Sequence, residues 1–444
     1  MKIKSVTVGN YKNVPKTTIE FERIVSLVST NNYGKSNILE AIAFGFDFIN
    51  ASPSVRNQMM KAVTSIPLSP SLAGKDFIFS IEFNEPGLMS EYRFVRYGYK
   101  FAWLNDQGTG GRITSEIIEA RANESIRYSS YLKRDKGKYR SGKGNPNFKK
   151  INLEQNKLAI DVLSAMEETD IADIVKSIQS LSYRACNKLD LKGDFNPALF
   201  DISLNPDSTL SAEIDLPRAL NNLRIENKDK YELFLETIYE LFPEFNKVEL
   251  NSYSLQSQIG ENEYKAIKQT FNDSKKGNTV LPFRLQDEIY KVMVDSKTLN
   301  QPLSVSYMSM GTKRIFWLVA NAIFAGIKEA NLVEVDEIET SIHPKMIKKL
   351  LEALSELLED ASMIVTSHSP YLIQYLKQNS IYIGLPNEEG LAVFRRIHRS
   401  KTKALWKTAR LLGMSEGEYI FDLISGNSDS AEILSAYMET VKDV

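Results

Sequence analysis

Apolar and polar residues nearly alternate at the start of the chain. Ile3, Val6 and Val8 stand among polar neighbours, a turn falls near residues 12–16, and residues 17–21 alternate again. This pattern predicts a two-stranded hairpin. Residues 24–28 are mostly apolar, as in a strand buried on both faces. The period then changes. Ile38, Leu39, Ala41, Ile42, Phe44 and Phe46 give a helix with a broad apolar face. Residues 56–66 continue as a second helix until Pro67 and Pro70 break it. Residues 77–83 and 92–101 alternate strongly and predict antiparallel strands, with Glu85-Pro86-Gly87 as the turn between them.

Helical period dominates the middle of the chain. Residues 153–185 carry it through Ile160, Leu163, Met166, Ile171, Ile174 and Ile178, and residues 217–241 carry it up to Pro243. Residues 248–255 alternate, and polar sequence leads on to 281–294. Residues 121–300 thus read as an inserted, largely helical unit with no heptad run long enough for a coiled-coil arm. A helix over 315–328, a strand over 332–335, a helix over 346–358, a strand over 362–366 and a helix from 369 to 376 imply a parallel sheet. Two short helices follow, 401–414 and 431–441, separated by Glu416-Gly417-Glu418-Tyr419 and Gly426-Asn427 as punctuation.

Composition narrows the class. The 444 residues are 43% hydrophobic and 25% charged, which argues against extended disorder. The net charge of −1 gives no bulk attraction to nucleic acid. One local stretch differs: residues 127–150 hold Arg127, Lys133, Arg134, Lys136, Lys138, Arg140, Lys143, Lys149 and Lys150, with Tyr128, Tyr131 and Tyr139 interleaved. Cations on phosphates and tyrosines on bases make it the candidate DNA contact. The single cysteine, Cys186, excludes an intrachain disulfide and a cysteine zinc cluster. There is no apolar signal region at the start, and the apolar run near 315–327 is too short to span a bilayer. The expectation is a cytoplasmic protein with no membrane contact.

Candidate chemistry clusters at strand ends. Strand 24–28 runs into Ser29-Thr30-Asn31-Asn32-Tyr33-Gly34-Lys35-Ser36-Asn37 and then the apolar helix. Strand, loop and helix N-terminus form an anion site of backbone N–H groups. Lys35 is placed to reach β- and γ-phosphates, and Ser36 to bind Mg²⁺. Ser29 stands where the usual Gly-x-x-x-x-Gly-Lys-Ser/Thr pattern has its first glycine. Strand 332–335 ends in Asp336-Glu337, with Asp336 suited to hold Mg²⁺ and Glu337 to polarise the attacking water. Ser309 and Gly311 precede an apolar helix whose N-terminus suits a γ-phosphate. His368 ends strand 362–366 where an imidazole can touch that phosphate.

Taken in order, these parts resemble the ABC-type ATPases of the RecF, SMC and OLD group. Asn31-Asn32-Tyr33-Gly34-Lys35-Ser36-Asn37-Ile38-Leu39-Glu40-Ala41-Ile42 follows the family's opening loop, and Ser309-Met310-Gly311-Thr312-Lys313-Arg314 is similar to its signature motif. Asp336-Glu337 resembles the Walker B pair, Ser341-Ile342-His343-Pro344 the D-loop, and His368 the H-loop histidine. The resemblance implies an α/β fold: an ABC-type P-loop ATPase head with an antiparallel β subdomain and a largely helical inserted lid. The expected organisation is 1–120 for the first half of the head, 121–300 for the insertion, 301–400 for the second half and 401–444 for a helical tail. It also implies ATP and Mg²⁺, bound in cis by residues 31–37 and Asp336. Ser309, Gly311 and Lys313 would act in trans in a head-to-tail homodimer, and Glu337 and His368 would support hydrolysis.

Residues 377–444 contain no Asp-x-Asp pair, so no Toprim nuclease is expected there. The first functional expectation is an ATPase subunit that controls a separate effector, such as a nuclease or toxin. It resembles the ATPases of two-protein anti-phage systems such as PARIS or Septu. A RecF-like repair ATPase clamping DNA through 127–150 is the alternative. A nucleotide-gated scaffold with little turnover, motivated by Ser29, is the third.

Overall fold

In the computed structural model, the structure describes residues 1–67, 69–105, 108–135, 138–141, 149–150, 153–163, 171–186, 195, 200–201, 215–276, 284–285, 287–385, 389–426 and 428–440. Lys136 and Lys143 of the basic stretch, residues 164–170 of the expected 153–185 helix, residues 281–283, Asn427 and residue 441 lie outside them, as do the side chains from 138 to 150. The chain divides into two compact units. The first comprises residues 1–185, 329–338 and 360–444, and the second 186–328 and 339–359.

The first unit holds two sheets. Strand Ile24–Val28 is buried along its whole length. Parallel to it run Ser362–Ser367 on one side and Ile381–Gly384 on the other. Leu332–Val335 and then Tyr183–Ala185 extend the parallel run beyond Ser362–Ser367, and Phe394–Arg395 closes the opposite edge antiparallel. The second sheet is antiparallel and eight-stranded. It includes Lys2–Gly9, Thr17–Glu20, Phe77–Asn84, Phe94–Ala102, Arg112–Arg121 and Ser129–Asp135. Helix Lys35–Asn50 joins the two. Phe46 packs 5.6 Å from Phe79 of the antiparallel sheet and 5.4 Å from Tyr183 of the parallel one. Phe44 and Phe48 add ring contacts to Phe77 and Tyr99. On the far face of the parallel sheet, Val28, Ile381 and Ile383 pack with Leu405, Ile420, Leu423 and Leu434 from the C-terminal helices. The parallel sheet is thereby covered on both faces, which is why its four central strands are buried along their whole length.

The second unit is mixed. Helices Leu216–Glu226, Lys228–Leu241, Met310–Ile327 and Pro344–Leu357 accompany an antiparallel sheet of Phe245–Ser254, Glu288–Ser296 and Leu303–Ser304. Phe316 lies 6.0 Å from Phe234 and 6.2 Å from Phe242 at its core.

Several elements depart from the pattern reading. Among the described residues of 153–185 are the short helices Ala159–Leu163 and Ala172–Gln179 and the edge strand Tyr183–Ala185. Parallel pairing with Leu332–Val335 overrides helical period at that end. The expected 217–241 helix is two, divided at Asn227, whose side chain caps the second by accepting from Lys230 N. Residues 416–419 start a helix, Glu416–Ser425, with Ser415 and Glu418 in a reciprocal capping box. The polar sequence after 255 includes a further helix, Glu261–Lys276. Strand Arg112–Arg121 had no expectation at all, because Glu116 occupies a core position and hides the alternation. Its carboxylate accepts from Ala159 N at 2.6 Å and Ile160 N at 3.2 Å and pairs with Arg134 at 3.6 Å.

A candidate nucleotide site at the ends of the parallel strands

The loop after Ile24–Val28 turns on two left-handed residues, Asn32 (φ 59°) and Gly34 (φ 113°). Gly34 has a second constraint: a Cβ there would stand 2.7 Å from Ala392 Cβ and 2.9 Å from Asn13 Oδ1. Ser29 is fully buried and does not adopt positive φ, so the missing first glycine imposes no left-handed strain. Asn13 buttresses the loop from outside. Its Nδ2 donates to Tyr33 O (3.4 Å) and Gly390 O (3.0 Å), and its Oδ1 accepts from Asn37 Nδ2 (2.8 Å). Helix Lys35–Asn50 begins directly after Gly34, so its N-terminal N–H groups face the loop.

A cavity of about 360 Å³ opens there, lined by residues 31–37, Asp336, Glu337 and His368. Lys35 is buried and its Nζ donates to Ser29 O (3.2 Å) and Thr30 O (3.1 Å), with His368 Nδ1 at 3.5 Å. Ser36 Oγ donates to Asp336 Oδ2 at 3.3 Å. The second oxygen of Asp336 accepts from Thr366 Oγ1. Glu337 has φ 48°, a left-handed conformation that costs a non-glycine residue roughly 1–2 kcal/mol. Its Oε1 lies 3.9 Å from His368 Nε2. Among the described residues no group of three or more His, Cys, Asp or Glu forms a metal cluster. Mg²⁺ needs none: it keeps several waters and takes one or two protein oxygens beside phosphate. Ser36 Oγ and Asp336 Oδ2 fit that donor set.

One buried carboxylate stands behind this site. Glu334, two positions before Asp336, is 1% exposed, and burial pushes its pKa up to about 8, with Asp336 and Glu40 adding to the rise.

The remaining candidates lie elsewhere. Ser309, Gly311 and Lys313 belong to the second unit and do not line this cavity. Ser309 caps helix Met310–Ile327 by accepting from Thr312 N at 3.2 Å. A Cβ on Gly311 would meet the Ser341 carbonyl at 2.4 Å, so this helix start and the 341–344 turn touch backbone to backbone. His343 Nδ1 accepts from Lys345 N, a helix cap. Lys12 ion-pairs with Glu40 and does not line the cavity. In the basic stretch, Arg134 and Tyr131 are buried, and Tyr128 sits between Arg96 (4.1 Å) and Arg121 (4.3 Å). Arg134 and Tyr131 are taken up inside the fold, Tyr128 is half-buried between its two arginines, and Arg127 and Lys133 are exposed. Sequence reasoning missed Asn13, Glu334 and Thr366. Each owes its place to residues distant in the chain, and only Thr366 carried a signal, a hydroxyl two positions before a strand-end histidine.

A parallel sheet whose strand ends gather a phosphate loop, an Asp-Glu pair and a histidine defines a P-loop ATPase head. The chain belongs to the AAA ATPase domain family AAA_15, whose model matches residues 1–373. The expected α/β head with an antiparallel β subdomain is the fold found, and the expected ATPase character is that of the family matched. The chain is 21% identical over 422 residues to an Escherichia coli protein named "Retron Ec83 probable ATPase", covering 86% of this chain and 71% of that one. Among solved structures, it is similar to an Smc head bound to the C-winged helix domain of ScpA, at TM-score 0.49 and 13% identity over 90% of this chain and 99% of that one. The SMC head domain from Thermotoga maritima gives TM-score 0.44 and 11% identity, over 90% and 100%. Among the described residues, no helix is long and apolar enough to cross a membrane.

Proposed function

We propose that this chain binds and hydrolyses MgATP, and that ATP-driven pairing of two copies controls a separate effector, such as a nuclease, in prokaryotic anti-phage defence. The cavity that brings Lys35, Ser36, Asp336, Glu337 and His368 together carries the ATP reading. In this reading the loop N–H groups and Lys35 hold the phosphates. Ser36 and Asp336 hold Mg²⁺, which when bound supplies charge neutralisation at the phosphate oxygens. Glu337 accepts the proton of the attacking water, and His368 meets the γ-phosphate from the neighbouring strand end. Ser309, Gly311 and Lys313 of a second copy complete the site. Likeness to a retron ATPase supports the defence setting.

Phosphate release and ATP binding test the catalytic part. Lys35→Ala loses ATP binding. Glu337→Gln retains binding while turnover falls about 100-fold or more, the usual size of a general-base contribution. Undiminished turnover in Glu337→Gln sinks the assigned base. For the effector, co-purification with the products of neighbouring genes should change between ATP-bound and ATP-free protein. Equal capture in both states removes nucleotide control.

A further inference from the structure

Thr366 is fully buried at the end of strand Ser362–Ser367, two residues before His368. Parallel register sets Val365 beside Val335, which brings Thr366 level with Asp336. Its hydroxyl does two things. It donates to Asp336 Oδ1, and it accepts the backbone N–H of Glu337 at 2.8 Å. Its own carbonyl accepts from Ile338 N at 3.3 Å. One residue therefore grips three successive positions of the turn that carries both carboxylates.

The consequences for the two carboxylates differ. With Oδ1 of Asp336 occupied by the threonine, Oδ2 is the oxygen left toward Ser36 Oγ. A hydroxyl donor on one carboxylate oxygen fixes which lone pairs face a cation. Glu337 is held in a left-handed conformation, φ 48°, that a non-glycine residue keeps only where its surroundings over-determine it. The Thr366 hydroxyl supplies one of those constraints directly. The same strand then delivers His368 to within 3.9 Å of Glu337.

We propose that Thr366 is a positioning residue for the nucleotide site: its hydroxyl orients Asp336 toward the divalent cation and locks the Glu337 turn. The proposal rests on the MgATP reading above and deepens it. It requires no contact between Thr366 and nucleotide.

Thr366→Val keeps the shape and removes the hydroxyl. Thr366→Ala and Thr366→Ser differ from each other by the hydroxyl alone, and they serve should the valine variant fail to fold. The first readout is the Mg²⁺ concentration that half-saturates binding of a fluorescent ATP analogue, titrated from EDTA-treated protein. The second is turnover at saturating Mg²⁺. Valine and alanine should raise the Mg²⁺ midpoint about 10-fold, the scale of losing a partner that orients a metal ligand, and lower turnover. Serine should restore both. A residue that merely packs would lower thermal stability with the Mg²⁺ midpoint unmoved, and that result, or equal midpoints for serine and alanine, overturns the proposal. Wild-type protein that binds analogue but shows no turnover fails the hydrolytic reading alone, and the binding midpoint still decides on Thr366.

Discussion

At Glu334 the sheet places a carboxyl where water does not reach, and the consequence is a pH dependence. Its pKa in the folded chain, about 8, lies above the ordinary 4.5. The folded protein therefore keeps a proton that the unfolded chain releases between those values. Stability falls as pH rises across that window and levels off above about 8. Glu334→Gln removes the titrating group, so its melting temperature relative to wild type should climb from pH 5.5 to pH 8.5. A constant difference across that range contradicts the assignment. Ser29 is the other instructive residue. Its substitution for glycine looked like a threat to the loop, yet the left-handed positions fall at Asn32 and Gly34. Its carbonyl and hydroxyl instead lie 3.2 and 3.4 Å from Lys35 Nζ. The loop residues were readable from sequence because their motif occupies consecutive positions. Thr366 and Asn13 were not, because their partners are 30 and 24 residues away.

Helix Lys35–Asn50 carries the site and also fixes it to the fold. Its Gly45 reads in sequence as a weak point in a helix, but the structure gives it a purpose. A Cβ there would lie 1.8 Å from the Phe79 ring, and the Gly45 carbonyl accepts from Tyr99 OH at 2.9 Å. Gly45→Ala should destabilise by about 1–3 kcal/mol through overpacking, measured by denaturant unfolding. In a Phe79→Ala background the same change should cost less, because the ring it strikes is gone. Equal costs in both backgrounds would show that the Phe79 ring is not what opposes the added Cβ. The end of this helix is held by Arg56, whose guanidinium donates to the Phe48 and Ile49 carbonyls, each at 2.7 Å, and to Asp161. Strong alternation made Phe77–Asn84 and Phe94–Ala102 legible. Arg112–Arg121 was not, since a charged residue in a core position is indistinguishable in sequence from a solvent-facing one.

On the scale of the whole molecule, the chain carries one phosphate loop in its first unit and one Ser309–Gly311 helix start in its second. Under the proposed mechanism each nucleotide needs both, so two copies must meet. Glu337→Gln, which traps bound ATP, should run as a dimer by mass photometry with MgATP and as a monomer without it. Ser309→Arg, which blocks the exposed helix start, should stay monomeric in both conditions. A Ser309→Arg chain that dimerises normally with ATP would exclude this helix from the interface.

Sequence by itself determined three strands of the parallel sheet, 24–28, 332–335 and 362–366, the loop at residues 29–37 and the Asp-Glu strand end. Each is written in contiguous residues whose spacing obeys a local geometric rule: period 2, period 3.6, or a turn that cradles an anion. The tertiary structure decided the rest. It set the strand order that puts Thr366 beside Asp336, the core place of Glu116, the raised pKa of Glu334 and the internal use of Tyr131 and Arg134. These depend on what stands across a sheet or against a helix. That information belongs to pairs of residues far apart in the chain, and burial and charge act on the pair.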